Sequence, residues 1–336
     1  MQVIDKNKIV PLLDRLSKQS EVFVPTVKGS ESGFYSWNSL NGAKEIALEA
    51  LNVYHSPKNV LFPQTERMYS IEQGKQVFSI PDTFQDEKSR IIFGIRACDA
   101  KAITCFDDVF LTHGYEDSFY ATRRKNTIII GNACYQPGAN CFCSSMGINP
   151  VQPDADVVIH DAGTVYAWEA ITVTGQQFTE QVQDLLEEKD LGLPQLKPFS
   201  TEFDYDGVVE KLQGMFDHEI WHELAEPCMN CGTCTYMCPS CHCFDIQVKI
   251  WGDKGYRFRC WDSCMYTEYT AEAGGGNPRP DSQDRFRNRF LHKLEFFTER
   301  YDYPLCTGCG RCISVCPNGI NIIDIIKRIK EVDKIV

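Results

Sequence analysis

Residues 227–244 read PCMNCGTCTYMCPSCHCF and place six cysteines within eighteen residues. No packed core needs thiols at this density, so these side chains are candidate metal ligands. The first four cysteines and the following Pro239 have the spacing C-x₂-C-x₂-C-x₃-C-P; they are Cys228, Cys231, Cys234 and Cys238. The same spacing returns once near the end of the sequence, at Cys306, Cys309, Cys312, Cys316 and Pro317. The chain therefore carries an internal repeat of a metal-binding pattern.

The spacing within each repeat is typical of proteins that bind [4Fe–4S] clusters. Three closely spaced thiolates can hold three iron corners of one cube, and neighbouring glycines let the loop turn tightly. The fourth cysteine lies too far along the chain to complete that cube, and in two-cluster ferredoxins it ligates the other cluster. The repeat thus predicts two crossed ligand sets: Cys228, Cys231, Cys234 with Cys316, and Cys306, Cys309, Cys312 with Cys238.

Structural zinc is the alternative, because C-x₂-C pairs also build Cys₄ zinc sites. A zinc site normally combines two such pairs. Each repeat here offers a triplet and one distant cysteine, and each ends in Cys-Pro. The spacing favours iron–sulfur clusters over zinc.

Length, composition and charge limit the class of protein. A chain of 336 residues suggests about two domains. It has no run approaching ~20 apolar residues and no continuous apolar segment like that of a signal peptide, so we expect a cytoplasmic protein without a membrane span. In a reducing cytoplasm, its 17 cysteines are more often metal ligands than disulfides. A net charge of −12 argues against a nucleic-acid partner.

Local patterns predict an α+β multidomain protein. Residues 1–200 are expected to form an α/β domain, and residues 201–336 a mainly helical, ferredoxin-like 4Fe-4S dicluster domain. A long insertion at about residues 244–300 separates the two cysteine repeats. The Pro-containing stretch 191–206 is the expected linker. Residues 156–175 predict a hairpin that turns at Gly163, and residues 177–190 predict a helix.

Two short apolar runs in the first half each precede a cysteine. RIIFGI (Arg90–Ile95) and NTIIIG (126–131) are branched runs bounded by turn residues, so both predict buried strands. A helical pattern with Asp99 as its N-cap lies between them. If the strands are parallel neighbours, Cys98 and Cys134 leave the same carboxyl edge of the sheet, where ligands bind in open α/β sheets.

Two more cysteines follow within the loop that Cys134 opens. Pro137 and Gly138 let this loop turn back, so four thiols can converge without a long reach. A third [4Fe–4S] cluster would be held by Cys98, Cys134, Cys141 and Cys143. Ordinary thiols or a zinc site are the alternatives, and the spacing alone does not decide among them. Cys105 has the place of an inert buried thiol.

Seven motifs occur in an order that resembles a known family. They are RACDA, NCFCSSMG, CPSCHCF, WDSC, AGGGNPR, RFRNRFLHK and CTGCGRC…CP. Together they resemble the A-type iron–sulfur subunit of anaerobic sulfite reductase, whose relatives include the β subunits of soluble sulfhydrogenases. The resemblance runs from about Lys8 to Ile326, and NCFCSSMG is more similar to the sulfite-reductase branch.

The resemblance implies an iron–sulfur electron-transfer subunit of a multisubunit anaerobic oxidoreductase. Such a subunit relays single electrons from a flavin subunit that oxidises NAD(P)H to a terminal reductase. FAD is expected in that ferredoxin-reductase-like partner and not in this chain, and a third subunit would be the terminal reductase or hydrogenase. The family pattern also carries cysteines matching the four of the third cluster. We expect a redox subunit that is not catalytic alone.

Other functions stay open. The chain could be the β subunit of a soluble hydrogenase or sulfhydrogenase, or part of a flavin-based bifurcating complex. It could also reduce a substrate itself at a cluster with an open iron, held by Cys241, Cys243 and Cys264. We expect these three thiols to line the nearby clusters instead, and Cys260 has no expected counterpart in the family pattern.

The basic motif RFRNRFLHK has three interpretations, one of which is a solvated helix face. Its arginines, Arg285, Arg287 and Arg289, could pair with carboxylates at a subunit face. They could instead lie near a cluster and raise its reduction potential.

Overall fold

The computed structural model describes residues 1–40, 45–72, 77–79 and 88–332. The chain divides into two compact units, each made of two segments: Met1–Phe62 with Asp82–Thr201, and Pro63–Pro81 with Glu202–Val336. A sequence division at residue 200 leaves the segment Pro63–Pro81 with the first half, whereas the structure places it in the second unit. Where one domain ends and the next begins stays a prediction.

Strands and helices occur in both units. The strands are β1 (Gln2–Asp5), β2 (Glu21–Lys28), β3 (Glu31–Ser36), β4 (Thr65–Glu72), β5 (Val77–Ser79), β6 (Arg90–Ile95), β7 (Thr127–Asn132), β8 (Val157–Asp161), β9 (Val165–Ala170), β10 (Leu186–Glu188), β11 (Phe244–Trp251) and β12 (Lys254–Trp261). The helices are α1 (Ile9–Leu16), α2 (Lys58–Leu61), α3 (Ala97–Leu111), α4 (Ser118–Lys125), α5 (Val173–Gln181), α6 (Val208–Leu212), α7 (Ile220–Ala225), α8 (Thr233–Tyr236), α9 (Ser282–Leu291), α10 (Phe297–Tyr301), α11 (Arg311–Ser314) and α12 (Ile322–Glu331). A π-helical segment, His292–Phe296, joins α9 to α10.

An eight-stranded sheet forms the centre of the first unit. Its order is β10-β1-β9-β8-β7-β6-β2-β3, and the neighbours β2, β6, β7 and β8 run parallel. Every residue of β6 is buried, as expected for a parallel strand covered on both faces. The predicted strands at β6 and β7 and their parallel pairing are confirmed.

The predicted hairpin is also confirmed. β8 and β9 pair antiparallel, and Gly163 between them has a φ of 90°, a backbone conformation that favours glycine. The Gly163 N–H donates a hydrogen bond to Asp161 Oδ1 at 3.0 Å. This turn fixes the register of the two strands.

Two local predictions in the first unit are wrong. Asp99 is not an N-cap: α3 begins at Ala97 with Arg96 as its N-cap, and Asp99 lies buried in the first turn. An acidic residue is favoured in the first turn, because the N-terminal end of a helix carries partial positive charge. The helix predicted over residues 177–190 ends at Gln181, and Leu186–Glu188 instead forms β10. Pairing of β10 with β1 overrides the local helix preference.

The second unit combines short helices with an antiparallel sheet of order β11-β12-β4-β5. The expectation of a mainly helical domain is therefore not confirmed. The insertion between the cysteine repeats opens with the long hairpin β11–β12 and continues into α9. The last helix, α12, is amphipathic and buries one face of isoleucines. Over the described ranges, no helix combines the length and the apolar character that a membrane crossing requires.

A buried ion pair joins β4 to β12. Arg259 Nε lies 2.7 Å from Glu66 Oε2, and the two side chains are only 3% and 1% exposed. Glu66→Ala should destabilise the protein by about 3–5 kcal/mol, because it leaves a buried guanidinium without this carboxylate. Urea unfolding of the anaerobically purified chain measures this loss.

A matched control is the exposed pair of Lys330 and Asp204, which lie 2.8 Å apart. Asp204→Ala should leave the unfolding midpoint almost unchanged, because exposed pairs contribute little. Equal and small effects of the two substitutions would contradict the structural role of the buried pair.

Candidate metal centre

The two cysteine repeats have the same local structure. Gly232 precedes α8 with a φ of 72°, and Gly310 precedes α11 with a φ of 75°. At Gly232 a Cβ atom would also lie 2.8 Å from the ring of Tyr266. The third cysteine of each repeat, Cys234 or Cys312, then falls within the short helix. The sequence repeat is thus a structural repeat, and α8 and α11 lie against each other.

The first predicted ligand set surrounds a cavity. Its four thiols, Cys228, Cys231, Cys234 and Cys316, all line this cavity, together with Cys312. Apolar side chains form much of the remaining wall: Met229, Met265, Phe286, Phe290, Ile320 and Ile322. The structure therefore brings three cysteines of one repeat together with the last cysteine of the other.

Polar groups support two of these thiols. The Ile320 N–H donates to Cys316 Sγ at 3.2 Å. Thr233 Oγ1 lies 3.4 Å from Cys231 Sγ, and this hydrogen bond lowers the pKa of the Cys231 thiol. Hydrogen bonds to a thiolate favour the charged form, which is the form that binds a metal.

The second predicted set lies deeper. Cys238, Cys306 and Cys309 are buried. Burial is the main cause of the raised pKa of Cys312. The neighbouring thiols of Cys309, Cys306 and Cys238 raise this pKa further. The four thiols therefore lie within electrostatic reach of one another. This set again combines three cysteines of one repeat with one of the other, and its role as a ligand set stays a prediction.

Two buried cations lie among these thiols. Arg289 Nε donates to Cys234 Sγ at 3.2 Å, and Lys293 Nζ donates to Cys238 Sγ at 3.3 Å. Arg289 is 5% exposed and Lys293 is 3% exposed. Burial alone lowers the pKa of Lys293, but the thiolates of Cys238, Cys241 and Cys306 raise it above its usual value. Within the described part of the chain, neither cation has a carboxylate partner.

The donor set fits an iron–sulfur cluster. A buried cation costs several kcal/mol unless an anion compensates it, and cluster-bound thiolates would supply that negative charge. Over the described residues, no three or more His, Cys, Asp or Glu side chains are arranged to hold a metal ion. The first cysteine set instead stands around a cavity.

The first unit brings together three of the four cysteines predicted for a third cluster. Burial raises the pKa of Cys143 to about 12, and the nearby thiols of Cys141 and Cys134 add to the rise. Asn52 Nδ2 donates to Cys141 Sγ at 3.2 Å. Cys98 is buried in the first turn of α3, directly after β6. Because β6 and β7 are parallel, Cys98 and Cys134 follow the same sheet edge, and ligation by this set stays a prediction.

The remaining cysteines between the two repeats lie in two places. The thiol of Cys264 lies close to that of Cys243, and the thiol of Cys241 lies close to that of Cys238; in each pair the neighbour raises the pKa of the first thiol. The hairpin explains the first contact, because Phe244 pairs with Trp261 and Cys243 and Cys264 flank that pair. Cys260 instead lies on β12, near the carboxylates of Asp245 and Asp262.

The basic motif has a different role at each position. Arg285 Nε donates to the carbonyl of Met265 at 3.0 Å, and Arg287 pairs with Asp284 at 3.0 Å. Of the three arginines singled out in the sequence, Arg289 is the one that donates to a thiol. Sequence reasoning missed Lys293, although its position four residues after Arg289 places both side chains on one helix face.

Comparisons with known proteins agree with this centre. Residues 227–320 match the family model of the 4Fe-4S dicluster domain. Over 328 residues the chain is 28% identical to Sulfhydrogenase 2 subunit beta of Pyrococcus furiosus, covering 95% of each chain. No solved structure gives a significant match. The chain is therefore similar to that β subunit over nearly its whole length, and residues 227–320 carry a 4Fe-4S dicluster domain.

Proposed function

We propose that this chain is the iron–sulfur electron-transfer subunit of a sulfhydrogenase-like oxidoreductase complex. The crossed grouping of the two cysteine repeats carries the proposal. It gives each cluster three thiols from one repeat and one from the other, which is the ligand pattern of two-cluster ferredoxins. The similarity to a sulfhydrogenase β subunit over nearly the whole chain supports the same function.

The residues of the second unit have separate tasks in this proposal. Cys228, Cys231, Cys234 and Cys316 hold one [4Fe–4S] cluster, and Cys306, Cys309, Cys312 and Cys238 hold the other. A bound cluster supplies one-electron transfer. Phe286 and Phe290 exclude water from the first cavity. Arg289 and Lys293 compensate the negative charge of the thiolates.

The partners belong to the proposal as well. A relay protein needs an electron donor and an acceptor. We propose a flavin- and nucleotide-binding, ferredoxin-reductase-like subunit with FAD as the donor, and a terminal hydrogenase or reductase as the acceptor, in the cytoplasm. Sulfite reduction as the terminal reaction is supported by the motif NCFCSSMG. The similarity to a sulfhydrogenase β subunit favours the sulfhydrogenase alternative.

A third [4Fe–4S] cluster in the first unit extends the proposed relay. Its ligands would be Cys98, Cys134, Cys141 and Cys143. The proximity of the last three thiols and the shared sheet edge of Cys98 and Cys134 support this site.

Metal analysis of the anaerobically purified chain tests the number of clusters. Three [4Fe–4S] clusters predict about twelve irons and as many acid-labile sulfides per chain, and two predict about eight. EPR spectra after dithionite reduction should show interacting S = 1/2 signals. About eight irons would remove the site in the first unit, and a colourless protein with bound zinc would refute the proposed function.

Single substitutions test the crossed ligand sets. Cys316→Ser should change the same EPR signal as Cys228→Ser, because both cysteines line one cavity. Cys306→Ser and Cys238→Ser should change a second signal. Each variant should lose about four irons or hold one cluster weakly.

Cys260→Ser is the matched control in the same unit, because this cysteine lies on β12 outside both predicted sets. It should retain full iron content and both signals. The crossing is refuted if Cys316→Ser alters the signal that responds to Cys306→Ser.

A further inference from the structure

We propose that Arg289 and Lys293 each raise the reduction potential of a different cluster of the second unit. Lys293 acts on the cluster of the Cys306 set, and Arg289 acts chiefly on the cluster of the Cys228 set. The inference rests on the proposed function, because it requires both clusters to be bound.

The two cations reach different ligand sets from neighbouring turns. Arg289 lies in α9, and Lys293 lies four residues later in the π-helical segment. Arg289 Nε contacts Cys234, a member of the first set, at 3.2 Å. Lys293 Nζ contacts Cys238, a member of the second set, at 3.3 Å. One continuous helical segment thus presents a separate donor to each site.

Lys293 lies beside cysteines of the second set. Its ammonium group interacts with the thiols of Cys238 and Cys306, which both belong to the second set, and with Cys241. Contacts with Ser240 hold this position: Lys293 Nζ donates to Ser240 Oγ at 3.2 Å, and Ser240 Oγ donates to the Leu305 carbonyl at 2.7 Å. The Leu305 N–H in turn donates to the Lys293 carbonyl at 3.0 Å. These bonds position the ammonium group beside both thiols.

Arg289 lies near cysteines of both sets and donates its hydrogen bond to a cysteine of the first set. Its guanidinium interacts electrostatically with Cys234 and with Cys312, one cysteine from each set. The hydrogen bond goes to Cys234. Neutralising Arg289 should therefore affect both clusters, and the cluster of the Cys228 set more strongly.

The direction of the effect follows from charge. Reduction adds an electron to a site that already carries negative thiolates, and a nearby cation stabilises the reduced form. The interaction is strong because both side chains are buried, where the effective dielectric constant is low. Over the described residues no carboxylate pairs with either cation, so their charge acts on the thiols without local compensation. Hydrogen bonds and net charge are the protein's means of setting cluster potentials.

EPR-monitored redox titration of the full chain, purified anaerobically, tests the inference. Lys293→Met should lower the midpoint potential of one cluster and leave the other unchanged. Arg289→Gln should lower chiefly the potential of the other cluster. The Cys228→Ser and Cys306→Ser variants identify which signal belongs to which set.

Arg287→Gln is the matched control on the same helix. Arg287 is paired with Asp284 at 3.0 Å, and its guanidinium lies 3.9 Å from the ring centroid of Phe216. Because this cation is already compensated by a carboxylate, both potentials should stay at their wild-type values.

If the neutral variants lose iron, the charge-conserving variants Lys293→Arg and Arg289→Lys test the inference in their place. Their potentials should stay close to wild type, and shifts as large as those expected for the neutral variants would overturn the inference. Unchanged potentials in neutral variants that retain iron would also overturn it, as would the same cluster showing the larger shift in both variants. A wild-type chain without two [4Fe–4S] signals would refute the proposed function itself.

Discussion

Each group of four cysteines takes three from one repeat and one from the other, and this grouping constrains the whole second unit. Cys316 stands with three cysteines of the first repeat, and Cys238 stands with those of the second. This arrangement requires both repeats to meet, so the insertion between them must leave and return at nearly the same place. The hairpin meets this requirement, because the Asp262 N–H donates to the Cys243 carbonyl at its base. The helix α9 then leads the chain back to the second repeat.

The insertion also supplies the charge that the thiols need. Burying a group of thiolates is unfavourable unless cations compensate them, and the repeats themselves bring few cations to the cavities. Arg289 and Lys293 come from the end of the insertion, immediately before the second repeat. Their burial is in turn unfavourable without the thiolates. The fold and the charge state of the sites therefore depend on each other.

The parts predicted from sequence are those with a strong local pattern. The buried runs at β6 and β7 and the glycine turn at Gly163 belong to this group, as does the spacing of the repeats. The hairpin β11–β12 was missed, since its partner strand β4 lies far away in the sequence and β11 is almost fully exposed. The contact of Lys293 was missed for another reason. Its spacing of four residues from Arg289 places it on the same helix face, but this spacing does not indicate that the segment is π-helical or that this face meets the thiols.

The placement of β4 in the second unit has a consequence for biosynthesis. Glu66 is synthesised 193 residues before its partner Arg259, which at typical rates of translation means a delay of about 10–40 s. During this interval β4 has neither its hydrogen-bonded neighbour β12 nor the guanidinium of Arg259 beside its buried carboxylate. Cys306 and the cysteines that follow emerge later still. The second unit can therefore be completed only after the second cysteine repeat has been synthesised, and the two predicted ligand sets can assemble only then.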